Sequence, residues 1–220
     1  MKISLFPALL FMGAALASTP TQPSGVLYDN DEVKVARALE KAQVQGKFHQ
    51  HQMNRVMIYL QPGKQRFEYQ DGRPTVVSTF KAGEVLWSPP TGMHAGTVLD
   101  HDFNIIELEM KTPGTGKPIT SDHDPLKVDP AQCKLELENP QVRVVRARVQ
   151  PHATVPLHTW ATDHVVVFLT DQKFEIKDST GKTITAEHKA GDVVWRTPVS
   201  LSEKNLSAQP FEAVIVEIKK

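Results

Sequence analysis

Asn30-Asp31-Glu32-Val33-Lys34-Val35-Ala36-Arg37-Ala38 returns 109 residues later as Asn139-Pro140-Gln141-Val142-Arg143-Val144-Val145-Arg146-Ala147. Five of the nine positions are identical, and a sixth exchanges Lys for Arg. The same register carries His49 onto His158 and Val56-Met57-Ile58-Tyr59-Leu60 onto Val165-Val166-Val167-Phe168-Leu169. One residue out of that register, Lys81-Ala82-Gly83-Glu84-Val85-Leu86-Trp87 meets Lys189-Ala190-Gly191-Asp192-Val193-Val194-Trp195, and Phe103 to Met110 meets Phe211 to Ile218. Solenoid repeats have periods of about 20–50 residues. A repeat of this length is therefore two copies of one domain.

Each copy reads as β. Val33-Lys34-Val35 and Val142-Arg143-Val144 alternate apolar and charged, as strands with one buried face do. Val56 to Leu60 and Val165 to Leu169 are continuously apolar and rich in β-branched residues, the pattern of a strand buried on both faces. Asp71-Gly72-Arg73-Pro74 and Asp178-Ser179-Thr180-Gly181 are turn sequences. Helical periodicity is sparse, and the nearest helical candidate is a turn or two around Glu40. Short strands with regular turns predict an all-β closed barrel or sandwich per copy. The copies are assigned to residues 26–111 and 133–220. The segment 112–132 carries Pro113, Gly114, Gly116, Pro118, Pro125 and Pro130, which predicts an irregular linker.

The chain has 220 residues, 25 of them basic and 25 acidic. Balanced charge offers no attraction to nucleic acid or to an anionic membrane. Lys2 precedes an apolar run from Ile3 to Ala17 that closes on Ala15-Leu16-Ala17. This predicts a secretory signal peptide over residues 1–17, cleaved after Ala17, because the run is short for a span of about 20 residues. The expectation is an exported protein, periplasmic or secreted, with no membrane attachment after cleavage. Cys133 stands alone, so no internal disulfide forms. The expected partner is a small molecule rather than nucleic acid, and a homodimer is left open.

His49 and His51 are two residues apart, so on a strand both imidazoles project to one face. Downstream, the Pro-rich turn in Trp87-Ser88-Pro89-Pro90-Thr91-Gly92-Met93-His94 reverses the chain and places His94 near the start of a new strand. Three neutral imidazoles converging inside a barrel would hold a metal ion with coordination positions left for water or substrate. Tyr59, Phe67, Tyr69 and Trp87 lie near these residues as core or as apolar walls of a pocket. His123, between Asp122 and Asp124 in the linker, reads as a solvated loop residue.

His49-x-His51, a buried strand, then Gly83, Pro89 and His94 resemble the two signature motifs of the cupin superfamily, and the duplication makes the resemblance one to a bicupin. It covers both copies. It implies a jelly-roll β-barrel per copy, with a divalent metal inside the first held by His49, His51 and His94. The ion would be iron(II), manganese, zinc or nickel. The sequence departs from the family pattern in four places. Arg55 and Val56 stand where a fourth, Glu, ligand is usual, and arginine stays protonated. Gln43 replaces a glycine, Gly92 to His94 is one residue short, and the Asn after the last His is missing. In the second copy His158 remains, Trp160 replaces the second His, Ser202 falls on the last, and His164 falls on Arg55. Two His without a third ligand predict a degenerate site that keeps the barrel, with Trp160 filling the space of a metal; the alternative is that His158 and His164 bind a ligand without metal.

Two functions follow. In the first, the resemblance implies a metal-dependent enzyme acting on a small oxygen-bearing molecule, with dioxygenase-like oxidation or Lewis-acid lyase or isomerase chemistry. Arg55, or Arg37 on a neighbouring strand, would pair with a substrate anion. In the second, the barrels are a non-catalytic module for a small molecule or carbohydrate, without a functional metal.

Overall fold

A computed structural model describes residues 24–220; the predicted signal segment lies outside them. The first copy contributes β1 (Gly25–Asp29), β2 (Val33–Glu40), β3 (His49–His51), β4 (Arg55–Tyr59), β5 (Gly63–Tyr69), β6 (Val76–Phe80), β7 (Glu84–Ser88), β8 (Thr91–Val98) and β9 (Phe103–Met110). After a short helix, α1 (Pro125–Val128), come β10 (Cys133–Glu138), β11 (Val142–Val149), β12 (Thr154–Trp160), β13 (His164–Phe168), β14 (Gln172–Asp178), β15 (Thr183–His188), β16 (Val193–Arg196), β17 (Val199–Asn205) and β18 (Phe211–Ile218). The first nine strands form a five-stranded sheet ordered β1-β2-β9-β4-β7 and a four-stranded sheet ordered β3-β8-β5-β6. The second nine repeat both orders strand for strand, as β10-β11-β18-β13-β16 and β12-β17-β14-β15. Two facing antiparallel sheets per copy give the all-β, jelly-roll barrels that the cupin resemblance implies.

Each barrel has its own apolar interior, and a third core lies between the barrels. Met57 and Tyr59 of β4 point inward onto Phe80, Val98, Phe103 and Ile105. Their neighbours Val56 and Ile58 point the other way, into a cluster shared with Val165, Val167, Val214 and Val216 of the second copy. Both faces of β4 and β13 are therefore covered, which is why those runs are unbroken apolar sequence. Burying each such Val or Ile contributes roughly 1.5–3 kcal/mol.

The barrels face each other through equivalent residues. Arg37 donates to the Gly191 carbonyl of the second copy, and Arg146 donates to the Gly83 carbonyl of the first. The two arginines are 109 residues apart in sequence and the two glycines 108. The contact is thus reciprocal about a pseudo-twofold axis. Gly83 and Gly191 have φ of +73° and +88°, a left-handed conformation that favours glycine. The repeated Lys-Ala-Gly segments therefore serve the inter-barrel contact. Arg37 also bonds Asn104 at 3.1 Å. It does not line the first-barrel cavity, contrary to its expected role toward a substrate anion, because alternate residues of β2 from Val33 onward face the other barrel.

The helical candidate around Glu40 is not helical. Glu40 ends β2, paired with Phe103. The helix lies instead in the linker, where the Asp124 side chain accepts from the Leu126 N–H at 2.9 Å and Pro125 opens the first turn, a standard N-terminal cap. Asp124 is not in a solvated loop, unlike exposed His123. It is buried with Glu217 around the guanidinium of Arg143.

Candidate metal centre

β3 and β8 pair so that His49 lies opposite His94, with an irregularity between His49 and His51 that sets His51 opposite Thr91. The i, i+2 spacing places both β3 imidazoles beside His94. The ring centroids are 4.8 Å apart for His49–His51, 4.6 Å for His49–His94 and 5.4 Å for His51–His94. The ligand nitrogens of the three all lie within 4.8 Å of one another. His49, His51 and His94 are thus brought together as the sequence predicted.

Each ring is oriented from behind. His49 Nδ1–H donates to the Lys47 carbonyl at 2.9 Å, and His94 Nδ1–H to the Gly92 carbonyl at 2.8 Å. His51 turns Nδ1 toward the Glu109 carboxylate at 3.6 Å. These acceptors fix the proton on Nδ1 and leave the Nε2 lone pairs for a metal, the usual arrangement behind metal-bound histidines. The His49 and His51 Nε2 atoms are 3.0 Å apart. Two ligands on one ion at about 2.1 Å, subtending roughly 90°, have that separation. Burial, with the Arg55 guanidinium alongside, pushes His51 down to about 4, and burial lowers His94 as well. Neutral imidazoles at neutral pH are the form that ligates. The donor set fits a divalent ion.

Arg55 opposes that fit. From β4, its Nη1 donates to His51 Nε2 at 2.7 Å and to Glu107 at 3.1 Å, while Nη2 donates to the Ser88 hydroxyl at 3.0 Å. The guanidinium therefore engages one of the three lone pairs a metal would take. It is buried and pinned by Glu107, so it remains in the site rather than turning to solvent.

The histidines open on a cavity of about 290 Å³, whose walls include Tyr59, Phe67, Tyr69 and Trp87. Two acidic residues that sequence reasoning did not single out also line it, Glu40 and Glu107. Gln65 donates to Glu40 at 2.6 Å. Burial and then the nearby Glu107 raise the Glu40 carboxyl above its ordinary value. A signal for both was present. Glu40 shares the parity of inward-packing Ala38 on β2, and Glu107 shares that of Phe103 and Ile105 on β9. Acids on an otherwise apolar inward face mark a site rather than a surface.

No protein-family model matches the sequence, and no curated protein matches it. Solved structures do. AerE from Microcystis aeruginosa is 15% identical, with 93% of this chain aligned to 98% of that one at a TM-score of 0.64. A cupin 2 conserved barrel domain protein from Leptotrichia buccalis is 11% identical over 93% of this chain and 92% of that one, at 0.53. The chain folds as a bicupin. The oxalate decarboxylase of Bacillus subtilis, 11% identical over 85% of this chain and 69% of that one, shares the fold at a TM-score of 0.55.

The second barrel departs from the first at Trp160, which stands where His51 does and lies 5.7 Å from both His158 and His164 by ring centroid. One assignment changes. His158 pairs with Leu201, as His49 pairs with His94, so Leu201 and not Ser202 stands at the third histidine's position. In the first barrel three residues separate Thr91 from His94, opposite His51 and His49, whereas two separate Val199 from Leu201, opposite Trp160 and His158; this one-residue difference breaks the gapless register on which Ser202 was aligned. The glycine replaced by Gln43 leaves a conformational trace. Gln43 has φ of +61°, and its counterpart His152 has +60°.

Proposed function

We propose that the first barrel binds one divalent metal ion through His49, His51 and His94 and uses it on a small, anionic, oxygen-bearing molecule. The observation that carries this reading is the convergence of three Nε2 atoms whose opposite nitrogens are each turned toward an acceptor. Bound there, the ion would supply Lewis acidity and open coordination positions. The residues of the chain supply the rest. Arg55, held by Glu107 and Ser88, keeps a cation beside the substrate position. Tyr59, Phe67 and Trp87 exclude water. Glu40, with its carboxyl raised by burial, can hold a proton close to the histidines. Export, read from the N-terminal segment alone, favours manganese or zinc over readily oxidised iron(II). The Mn(II) centres of Bacillus subtilis oxalate decarboxylase are consistent with manganese in such a barrel. The reaction class is a dioxygenase-like oxidation, or a lyase or isomerase step.

The test is metal content by mass spectrometry on untagged mature protein beside a His49→Ala/His51→Ala variant. About one ion per chain in the parent and almost none in the variant supports the proposal. No stoichiometric metal in either, after reconstitution with iron, manganese, zinc or nickel, removes it. The bond from Arg55 to His51 Nε2 favours the second reading, a metal-free module, and that outcome would leave a binding or structural role.

A further inference from the structure

The inward face of the second barrel carries two charges at positions that are uncharged in the first. On β17, Glu203 shares its face with Val199 and Leu201, which pack in the barrel core. On β16, Arg196 shares its face with Val194, which packs there too. Glu203 lies opposite Ile176, as Gly96 lies opposite Phe67. Arg196 lies opposite His164, as Ser88 lies opposite Arg55. An acid thus stands in place of a glycine, and a guanidinium in place of a serine. Among the described residues, no hydrogen bond or ion pair holds either side chain. Unpaired charge inside a barrel is costly. Two such charges, opposite in sign and not touching, call for a ligand between them.

Both side chains line one cavity of about 40 Å³, walled by apolar groups that include Trp160, Phe174 and Leu201. Buried His158 lines it as well. Its Nδ1–H donates to the Pro156 carbonyl at 2.9 Å, which leaves Nε2 an acceptor. Burial raises the Glu203 carboxyl above its ordinary value, and His158 and Arg196 pull against that shift, so the three groups act on one space. A water takes up about 10–15 Å³ of such a volume, which leaves room for about three waters or a molecule of similar size.

The signs of the three groups fix the ligand. An anion would satisfy Arg196 but face Glu203 and an imidazole lone pair. A cation would satisfy Glu203 but face Arg196. A neutral molecule leaves both charges uncompensated. A metal ion needs ligand atoms that converge, and among the described residues the group that has them is His49, His51 and His94. A zwitterion suits all three groups at once. Its carboxylate takes the forked guanidinium in two parallel bonds, and its ammonium donates to the Glu203 carboxylate and to His158 Nε2. A cation beside Glu203 also favours the ionised carboxyl against burial. The order along the barrel agrees. Arg196 enters opposite His164, beside Trp160, whereas Glu203 stands just past Leu201, the residue opposite His158.

We propose that the second barrel is a metal-independent binding site for one short zwitterionic amino acid, its carboxylate held by Arg196 and its ammonium by Glu203 and His158. Trp160 and Leu201, at the positions of metal ligands in the first barrel, then wall the site rather than marking a dead barrel. The proposal is independent of whether the first barrel holds a metal.

The experiment uses the full mature chain, labelled with ¹⁵N-histidine, and glycine and β-alanine as probes. A ligand this small binds in the micromolar range at best and ordinarily in the millimolar range. The ring-nitrogen resonances of His158 are followed to about 100 mM of each probe. Acetate and methylammonium, which carry one charge each, are the comparisons. The expected result is a saturable shift of the His158 Nε2 resonance with glycine or β-alanine, and binding of acetate and methylammonium weaker by about tenfold or more. Glu203→Gln and Arg196→Gln should each weaken amino-acid binding to the same degree, with an unchanged circular dichroism spectrum. Should one variant not fold, the other is read alone. No saturable shift with either probe overturns the proposal. So does acetate or methylammonium binding as tightly as the amino acids, or a shift unaltered in a folded variant.

Discussion

Arg55 and an incoming ion would contend for one lone pair, that of His51 Nε2. A guanidinium about 5 Å from a divalent ion repels it by several kcal/mol at an effective dielectric of ~20, and the single carboxylate of Glu107 offsets about half. Arg55→Gln should therefore tighten divalent metal binding at least about tenfold, read by titration against a chelator of known affinity. Weaker binding in the variant would mean that Arg55 instead holds His51 in position. In the other barrel, His164 tests burial directly. Burial pushes it down to about 4, below the ordinary imidazole value of 6.5, so the unfolded chain takes up a proton that the folded chain refuses. Its stabilisation is complete above about pH 6.5 and is lost as pH falls toward 4. The span corresponds to roughly 3 kcal/mol at about 1.4 kcal/mol per pH unit. His164→Gln should flatten the urea-unfolding free energy over that window; an unchanged slope would place the sensitivity elsewhere. The trio His49, His51 and His94 was legible from the His-x-His spacing read together with the cupin resemblance. Glu109 and the Lys47 and Gly92 carbonyls were not, because nothing local marks which acceptor will lie behind a ring.

At the scale of strands and linker, Arg143 joins α1 to the second barrel. It bonds Glu217 from Nε at 2.6 Å and also pairs with Asp124. Removing one partner of a buried ionic group leaves the others uncompensated, at about 3–5 kcal/mol. Arg143→Met should lower stability by that order at pH 8. The loss should be smaller at pH 5, because burial already raises the Glu217 carboxyl and protonation relieves it. Urea unfolding at the two pH values checks this, and an equal loss at both would sink it. The continuously apolar runs at β4 and β13 announced strands covered on both sides, and the structure agrees. The pairing of Leu201 with His158 could not be read in the same way. The irregularity in the β3–β8 pairing, between His49 and His51, has no counterpart between His158 and Trp160, and it shifts the register by one residue that an alignment without gaps cannot see. Composition likewise suggested an irregular linker but not its one capped turn, which depends on Asp124 meeting Arg143.

Over the whole molecule, the cluster between the barrels draws its valines and isoleucines from both copies. Either barrel alone would expose that face to water, and an apolar face of this kind drives association. Residues 24–111 expressed alone should be found by size-exclusion chromatography with light scattering as oligomers or aggregate, and coexpression with 112–220 should restore a one-to-one complex. A monomeric, folded fragment would refute obligate packing and leave the second barrel's persistence to its own cavity. The same contact explains why Arg37, which in sequence could serve a substrate, serves Gly191 instead. The sequence by itself determined the duplication, the β character of both copies and the trio His49, His51 and His94, since each is written in residue type and short-range spacing. Tertiary structure alone decided that Arg55 bonds His51, that Glu40 and Glu107 share its cavity, and that His164 and Gln172 line a second one. Those facts depend on which faces of strands far apart in sequence come together, and close packing selects those faces.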